Sequence, residues 1–538
     1  MSGTTAARGD FDVVVIGSGV GGLVAAALLA RLEGRRVLVL ERHWRAGGFT
    51  HTFERPGGFR WDVGVHYVGR EVETPGVPCD TFRVAGGGAL RWNRLPDPFE
   101  RILFPGLDFE VRAGRERFAE DLVRVFPAEE RSIRAWLDDV ARAARITTLR
   151  VVREALPAPA RWAFDLATTR RTAMADAPTG AYLERRFRDP RLRAIAGARW
   201  GDYGLPPGQS AFYAHAVVTH HYFEGAVYPV GSAASILEAM RRTIEEAGGA
   251  VRVRAEVERI LVRGGRAAGV RLRGGEEILA PVVISDAGAR NTYLRLLPPE
   301  VPVPFRPALA AVPPGTGFAT LYLGLSASGE TLGVRGENVF IQRSLDPDAD
   351  YAARSRLLEG EARQVYVSFP SVKDPLATAH TAEIIAPADP SSFARWQGTR
   401  WMKRGADYAA VKERIADALL ALAEERLPGL SQLVVHRELS TPLTTSDLAG
   451  HSVGESYGVP AHPGALRHPW RTARTPVRGL FLTGTDALFL GVVGAGMGGL
   501  AAALAVAGPS LMPRLAKESR RIAAHPTAPP EELRRAVA

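Results

Sequence analysis

The residues with the clearest chemical meaning are three glycines spaced as GxGxxG near the start of the chain: Gly17, Gly19 and Gly22. The first allows a tight turn, the second lets the backbone approach a pyrophosphate, and the third permits close packing of a helix on a strand. Glu41 follows about twenty residues later, at the position where a carboxylate binds ribose hydroxyls. This spacing predicts a dinucleotide site, and both NAD and FAD fit it.

The elements that position these residues have the pattern of a βαβ unit. The runs FDVVVI at 11–16 and RVLVL at 36–40 are short and apolar, as in buried parallel strands. The sequence VAAALLARL between them predicts a helix whose positive dipole end faces the phosphates. Val20 and Gly21 lie at the start of this helix, and we include them among the predicted cofactor contacts.

The segment after Glu41 favours FAD over NAD. Gly47 and Gly48 lie just past the ribose carboxylate, and FRWDVGVHYVG then brings another glycine-containing turn back toward the cofactor. Nicotinamide dehydrogenases usually proceed directly to the next βα unit instead. We predict three further cofactor contacts in these turns: Arg42, Phe49 and His66.

A second glycine-rich segment near the end of the chain completes the predicted site. Gly484 and Asp486 follow the apolar run GLFLT, and GVVGAGMGGLAAALAVAG comes next. The Asp486 carboxylate can accept a hydrogen bond from a polyol chain such as ribityl. A helix opening near Gly494 to Met497 would point its positive dipole end at the flavin ring. The alternative is a glycine-rich loop that serves only tight packing.

Composition limits the classes of function. The chain has 538 residues, 46% of them hydrophobic, with a formal charge of +10 and one cysteine, Cys79. A disulfide within the chain is therefore excluded, and a reducing, cytoplasmic location is expected. No Lys/Arg-rich block interleaved with aromatics appears, so we expect no nucleic-acid partner, although the basic surplus favours an anionic membrane surface, such as the inner face of a membrane. His220 and His221 are adjacent and diverge, so no metal site is predicted.

The uncharged stretch 487–513 is long enough to span a bilayer. Its glycines favour instead a helix that is pressed closely against a cofactor. The first ten residues are polar and do not have the apolar core of a secretory signal.

Three separated α/β stretches predict an α/β fold with one discontinuous Rossmann-type FAD-binding domain. Its predicted segments are 11–70, 226–298 and 466–515, and the segments 71–225 and 299–465 predict an interleaved α+β substrate domain, with tails at 1–10 and 524–538.

A helical cap is predicted at 131–171, where many arginines accompany Trp136 and Trp162. Basic helices with interfacial tryptophans can lie on a membrane surface. The pattern fits a solvated basic face equally well.

These motifs together resemble the phytoene-desaturase superfamily of FAD enzymes, and the similarity is closer to retinol saturase and its carotenoid-isomerase relatives. Four further segments carry the resemblance in order: GVHYVG at 64–69, WGDYGLPP at 200–207, HAVVTHHYFEGAVYPVGS at 215–232 and SYG at 456–458. Ser232 departs from the family, which generally has a glycine there. The resemblance is patchy at 71–195 and 300–440, where substrate choice should reside.

The resemblance implies a bound FAD, a long lipophilic tunnel, and saturation or isomerisation of conjugated double bonds in a retinoid or carotenoid-like polyene. It also implies that Val257 presents its backbone to the adenine. Apart from the match at 494–499, within the glycine-rich segment already assigned to the flavin, no GxGxxG follows, so a built-in nicotinamide domain is not predicted and an external electron donor is expected. The alternative enzyme is a polyene desaturase, and the alternative class is a lipid-binding protein on a flavin fold.

Saturation of a polyene bond requires a hydride on one carbon and a proton on its neighbour, so a positioned acid is expected. His66 and Tyr67 are the first candidates, because GVHYVG should return the chain to the flavin pocket. Tyr457 is the next. His66 has the alternative role of binding cofactor or backbone, and the tyrosines that of forming the tunnel wall.

Overall fold

The computed structural model describes residues 11–525, except for the side chains of Ala158 and Arg171. The predicted tail 1–10, and residues 526–538 of the other predicted tail, lie outside the described residues.

A five-stranded parallel sheet forms the nucleotide-binding half of the molecule. Its strands in spatial order are Ala250–Arg252, Val37–Leu40, Val13–Ile16, Val282–Ser285 and Leu480–Leu482. Both of the first two strands of the chain are completely buried, as expected for a sheet that is covered on both faces. Because the five strands come from three separated stretches of chain, the sheet confirms the predicted α/β fold with a discontinuous Rossmann-type domain.

The two faces of this sheet have different covers. Val13 and Val15 belong to a core shared with the helices Val20–Glu33, Ala234–Glu246 and Gly491–Ala507. Val14 and Ile16 point the other way, into a core shared with a small antiparallel sheet made of Val257–Arg263, Arg266–Leu272 and Glu277–Leu279. Val13–Ile16 therefore alternates between two cores, as the period of a strand dictates.

The uncharged stretch 487–513 contains the helix Gly491–Ala507, which packs against Val20–Glu33 through small residues. A Cβ atom at Gly499 would lie 2.6 Å from the Gly21 carbonyl oxygen, so only glycine permits this approach. Within residues 11–525, no helix is long and apolar enough to cross a membrane.

A seven-stranded mixed sheet forms the other half of the molecule. Its strands in spatial order are Val434–Ser440, Gly317–Leu325, His380–Ala388, Gln364–Ser368, Asn338–Gln342, Glu100–Phe104 and Leu107–Val111. Leu321 and Leu323 point toward a core formed with the helix Ala406–Glu424. Phe318 and Tyr322 alternate with them and face a large cavity. One face of the sheet therefore packs against the helix and forms a core, and the other face lines the cavity.

The predicted cap at 131–171 is helical. The helices of this region are Arg115–Val125, Glu130–Ala155, Ala158–Ala175, Thr179–Arg186, Pro190–Gly197 and Phe212–His221. The expectation that its tryptophans are interfacial is wrong for Trp136. Its ring is buried, and the indole N–H donates to His215 Nε2 at 3.2 Å. Trp162 is 71% exposed on the next helix.

Shorter elements connect the two halves. The hairpin Thr52–Arg55 and Phe59–Asp62 is one, and a three-stranded sheet of Val68–Gly69, Ala226–Pro229 and Trp92–Arg94 is another. The remaining α-helices are Val77–Ala85, Gly288–Arg290, Arg306–Ala311, Pro347–Ala352, Pro370–Lys373, Leu430–Leu433, Pro442–Ala449 and Leu511–Ala524. Ala226–Pro229 and Trp92–Arg94 were assigned to different domains but pair with each other. The domain boundaries stay a prediction.

Candidate functional site

A cavity of about 1250 Å³ lies between the carboxyl end of the parallel sheet and the open face of the seven-stranded sheet. Gly17 and Glu41 line it where two parallel strands end, and Asp286 lines it where a third ends. Ligands of open α/β sheets bind at this edge. Phe340 and Tyr366 line the opposite end, on the seven-stranded sheet.

The GxGxxG glycines form a cradle that side chains would fill. Gly17 has a φ of +95°, which disfavours other residues. A Cβ atom at Gly22 would lie 2.6 Å from the Gly17 carbonyl oxygen, and one at Gly21 would lie 2.4 Å from Gly484 Cα. The helix begins at Val20 and directs its free amides to this loop. The cradle fits a pyrophosphate.

Glu41 is buried at the tip of its strand and is held in place by backbone and side-chain donors. Ser18 donates to Glu41 Oε2 from its hydroxyl at 2.6 Å and from its amide at 3.1 Å, and the His43 amide donates to Oε1 at 2.7 Å. The Ser18 hydroxyl also accepts the Gly47 amide at 2.9 Å. Glu41 lines the cavity, so this network presents a fixed carboxylate to a ribose.

Asp286, which sequence analysis missed, lies at the centre of the cradle. Its carboxyl receives hydrogen bonds from the amides of Gly19 and Gly22. A Cβ atom at Gly484 would lie 2.3 Å from Asp286 Oδ1. Burial, together with the charge of Glu41, raises the pKa of Asp286 to about 8. The signal that could have found it is its place directly after a buried strand, which is also the place of Glu41.

Asp486 organises the backbone at the site. Its Oδ2 accepts the Ala289 amide at 2.7 Å, and its Oδ1 accepts the Val459 amide at 2.8 Å. The side chain is buried at the cavity wall. Each oxygen that was expected to accept from ribityl therefore already accepts from the protein backbone, and Asp486 joins three separate segments of chain.

The helix behind Asp486 begins at Gly491, earlier than the predicted opening near Gly494 to Met497. Gly491, Val492 and Ala495 line the cavity, so the positive end of the dipole lies there. Gly494 instead packs against Phe489, where a Cβ atom would lie 2.7 Å from the backbone, and Met497 packs against the core.

The other predicted cofactor contacts divide into two groups. Those that line the cavity are Val20, Gly21, Arg42, Gly48, Phe49, His66, Val257 and Gly484. Gly22, Gly47, Gly494 and Met497 do not line it. Gly22 supports the site indirectly by allowing the helix to pack against Gly17, and Gly47 does so by donating its amide to Ser18 Oγ.

His66 forms the first pair of ionisable groups at the substrate end of the cavity. Its Nδ1 lies 2.7 Å from Oε2 of the buried Glu383. The buried Lys373 ammonium donates to the His66 carbonyl oxygen at 2.9 Å and to Ser368 Oγ at 2.7 Å. Burial, opposed by the charge of Glu383, lowers the pKa of Lys373 to about 7.

Tyr67 forms the second pair, with Asp202. The Tyr67 hydroxyl donates to Asp202 Oδ2 at 2.9 Å, and both residues line the cavity. The Tyr67 ring stacks on Tyr222 with centroids 4.4 Å apart. Burial and the charge of Glu100 raise the pKa of Asp202 to about 7. Asp202 lies within the WGDYGLPP segment, but no local signal marked it as an acid.

Tyr457 lines the same cavity and packs its ring edge-on against Phe318, with centroids 5.7 Å apart. Burial holds the pKa of Tyr457 well above its usual range.

His221 is fixed outside this cavity. Its Nδ1 bonds to Glu71 at 2.5 Å, and its Nε2 accepts the Gly69 amide at 2.7 Å. In the described part of the chain, no group of three His, Cys, Asp or Glu side chains is placed to hold a metal ion.

Comparison with known proteins gives a consistent result. The NAD(P)-binding Rossmann-like domain family matches residues 15–74. The all-trans-retinol 13,14-reductase of Danio rerio is 34% identical over 526 residues, which cover 91% of this chain and 85% of that protein. Prolycopene isomerase 2 of an Oncidium hybrid cultivar is 27% identical over 502 residues, which cover 90% of this chain and 81% of that protein.

A solved oxidoreductase from Methanosarcina mazei has the same fold, with a TM-score of 0.60 and 18% identity over 90% of this chain and 98% of that one. The cradle, the fixed Glu41 carboxylate and the volume of the cavity fit FAD, which is the cofactor of the enzyme. This chain belongs to the retinol saturase and carotenoid isomerase branch of the phytoene-desaturase-like FAD oxidoreductases.

Proposed function

We propose that the protein saturates or isomerises conjugated double bonds of a lipophilic isoprenoid, a retinoid or a carotenoid-like polyene. Relatives named for retinol 13,14-reduction and for prolycopene isomerisation support this substrate class. The observation that carries the proposal is one cavity that joins the cofactor cradle to an apolar sheet face. Side chains of that face include Phe318, Tyr322, Phe340, Tyr366 and Ile385.

FAD, when bound and reduced by an external donor, would supply the hydride. We assign the accompanying proton to Tyr67, with Asp202 as its source. When Asp202 is protonated, it becomes the donor across this 2.9 Å contact and the Tyr67 hydroxyl proton turns to the substrate carbon. As Tyr67 gives that proton to the carbon, the Asp202 proton passes to the Tyr67 oxygen and leaves a carboxylate. Burial and the charge of Asp202 raise the pKa of Tyr67 far above its ordinary value, so a tyrosinate must not accumulate. A simultaneous transfer avoids that charge.

His66 and Tyr457 are the alternative acids. His66 is oriented by Glu383 and lines the cavity, so it has both a partner and access. Tyr457 has access but a pKa that burial raises further from neutrality. We place them after Tyr67 because Tyr67 is hydrogen-bonded to Asp202, whose pKa is raised to about 7, so the proton that Tyr67 gives up can be replaced near neutral pH.

A polyene panel tests the proposed reaction. The reduced enzyme is mixed with retinoids and carotenoids, and a blue shift of absorbance or a change of isomer is expected. No change with any of them overturns the proposal. Anaerobic mixing of the oxidised enzyme separates the alternative desaturase, which bleaches the flavin with substrate alone.

We also propose an external electron donor, because the one further GxGxxG match, at 494–499, lies in the helix assigned to the flavin, and no GxGxxG marks a separate nicotinamide domain. A cytoplasmic location with peripheral contact on the inner face of a membrane completes the proposal. It is supported by the buried thiol Cys79 and by the formal charge of +10. Membrane fractionation of cells that express the tagged chain tests the location.

A further inference from the structure

The open end of the cavity carries three exposed apolar side chains. Trp44 is 44% exposed, Trp401 is 39% exposed and Met402 is 80% exposed, and all three line the cavity. The rings of Trp44 and Trp401 lie 5.6 Å apart, so they form one patch from two distant parts of the chain. Exposed apolar patches at a cavity opening mark interaction sites.

The backbone at this patch is held in an unfavourable conformation. Met402 has a φ of +59°, in the left-handed region that residues with a Cβ atom rarely adopt. Such outliers persist only where the surrounding structure imposes them, and they cluster at functional sites. The turn thus presents a large flexible apolar side chain to solvent rather than a glycine.

Four exposed cations surround the patch: Arg42, Arg45, Arg400 and Lys403. Arg42 donates to the Asp447 carbonyl oxygen and Arg45 to the Thr52 carbonyl oxygen, each at 2.8 Å, so neither charge is neutralised. Within residues 11–525, none of the four takes part in a salt bridge. We call these seven residues the rim.

We propose that the rim docks on the surface of an anionic lipid bilayer, so that a lipophilic substrate passes from the bilayer directly into the cavity. The surface chemistry is that of interfacial membrane binding, in which tryptophan and methionine enter the headgroup region and cations meet anionic lipids. This inference rests on the proposed function for the nature of the substrate.

The helical cap is the competing surface. Trp162 and Leu166 are exposed there, at 71% and 64%. Among the cap arginines, Arg134 pairs with Glu130, Arg142 with Asp139 and Arg153 with Asp165, but the exposed Arg131, Arg145 and Arg170 take part in no salt bridge with another described residue. None of the side chains that the structure describes within 131–171 lines the cavity. Both surfaces have unpaired cations, and the rim differs from the cap because its apolar side chains line the cavity.

The test uses FAD-loaded full-length protein and vesicles of phosphatidylcholine with or without phosphatidylserine. The wild type should sediment with the anionic vesicles. The variant Trp401→Ser with Met402→Asn should bind at least about tenfold more weakly, since two apolar groups are lost. Asparagine is chosen because it tolerates the left-handed region. The variant Arg400→Glu with Lys403→Glu should lose binding too, and should flatten its dependence on salt.

The matched control is Trp162→Ser with Leu166→Ser on the cap, which should bind as the wild type does. Loss of binding in this control, unchanged binding in both rim variants, or no binding by the wild type overturns the inference. Flavin absorbance checks that every variant is folded. Vesicle binding without turnover of any polyene contradicts the proposed function alone, and turnover of a detergent-dispersed polyene without vesicle binding contradicts only the docking.

Discussion

The polar side chains at the two ends of the cavity are held by different kinds of hydrogen bond. At the cofactor end, the carboxylates Glu41 and Asp486 accept hydrogen bonds largely from backbone amides. At the substrate end, side chains pair with each other, as Tyr67 does with Asp202 and His66 with Glu383. The difference teaches that the cofactor end depends on close backbone approach, whereas the substrate end depends on the protonation of paired groups.

The largest effect is expected from filling the cradle. In Gly21→Val, the new Cβ atom lies 2.4 Å from Gly484 Cα and 2.5 Å from its amide nitrogen, so backbone must move. We expect FAD affinity to fall at least about a hundredfold, roughly 3 kcal/mol. Flavin content of the purified protein measures it.

Gly76→Ala is the control for this substitution, because Gly76 does not line the cavity and the nearest atoms to a Cβ atom there lie 3.9 Å away. It should retain FAD. Full flavin content in Gly21→Val would contradict the claim that FAD binding depends on close approach of the backbone at the cofactor end.

The second effect concerns the proton. Asp202→Asn removes the source while keeping the size of the side chain, so we expect polyene saturation to slow about a hundredfold or more. Flavin content and the reduction of the flavin by dithionite should not change. Product formation in a single turnover is the measurement. Asp108→Asn, an exposed carboxylate that pairs with Arg426, is the control and should be unaffected.

The third effect is a dependence on pH. Asp202 acts in its protonated form and has a pKa raised to about 7, so saturation should be fastest below that pH and should fall as pH rises through it. The charged and titratable groups near Asp202 are Tyr67, Glu100, Arg199, His221, Tyr222, Tyr366 and Tyr457. Lys373 titrates in the same range. If the saturation rate of Asp202→Asn still falls fully as pH rises, the pH dependence belongs to Lys373 or another group.

The smallest effect concerns Asp286. Its pKa is raised to about 8, so at neutral pH it is mostly the neutral acid, and Asp286→Asn should change FAD affinity by less than about threefold. Above that pH the wild-type carboxylate becomes negative beside the diphosphate, and FAD affinity should fall. The asparagine variant should not show this fall. Titration of the apoprotein with FAD at pH values below and above the pKa of Asp286 distinguishes the wild type from the variant.

Sequence reasoning reached the cofactor end because its signals are local. The strand Val13–Ile16, the cradle glycines and Glu41 lie within one βαβ unit, where each residue type has a direct steric or charge reason. The helix start at Gly491 was misplaced because a run rich in glycine gives no capping signal.

The substrate end was not predictable in the same way. Glu383 meets His66 across 317 positions of sequence, and Asp202 meets Tyr67 across 135. Neither pair leaves a periodic pattern, since each depends on how distant elements pack. The prediction that Trp136 is interfacial was wrong for a related reason. A basic helix packs one side against the core, and Trp136 lies on that buried side.

The alternation along the strand Gly317–Leu325 has an evolutionary consequence. Leu321 and Leu323 secure the helix behind the sheet, while Phe318, Thr320 and Tyr322 face the cavity. Substitutions at the second set reshape the space for substrate without opening a hole in the core. Lineages that descend from such a chain can therefore diversify in the polyenes they accept while their folding stability is conserved.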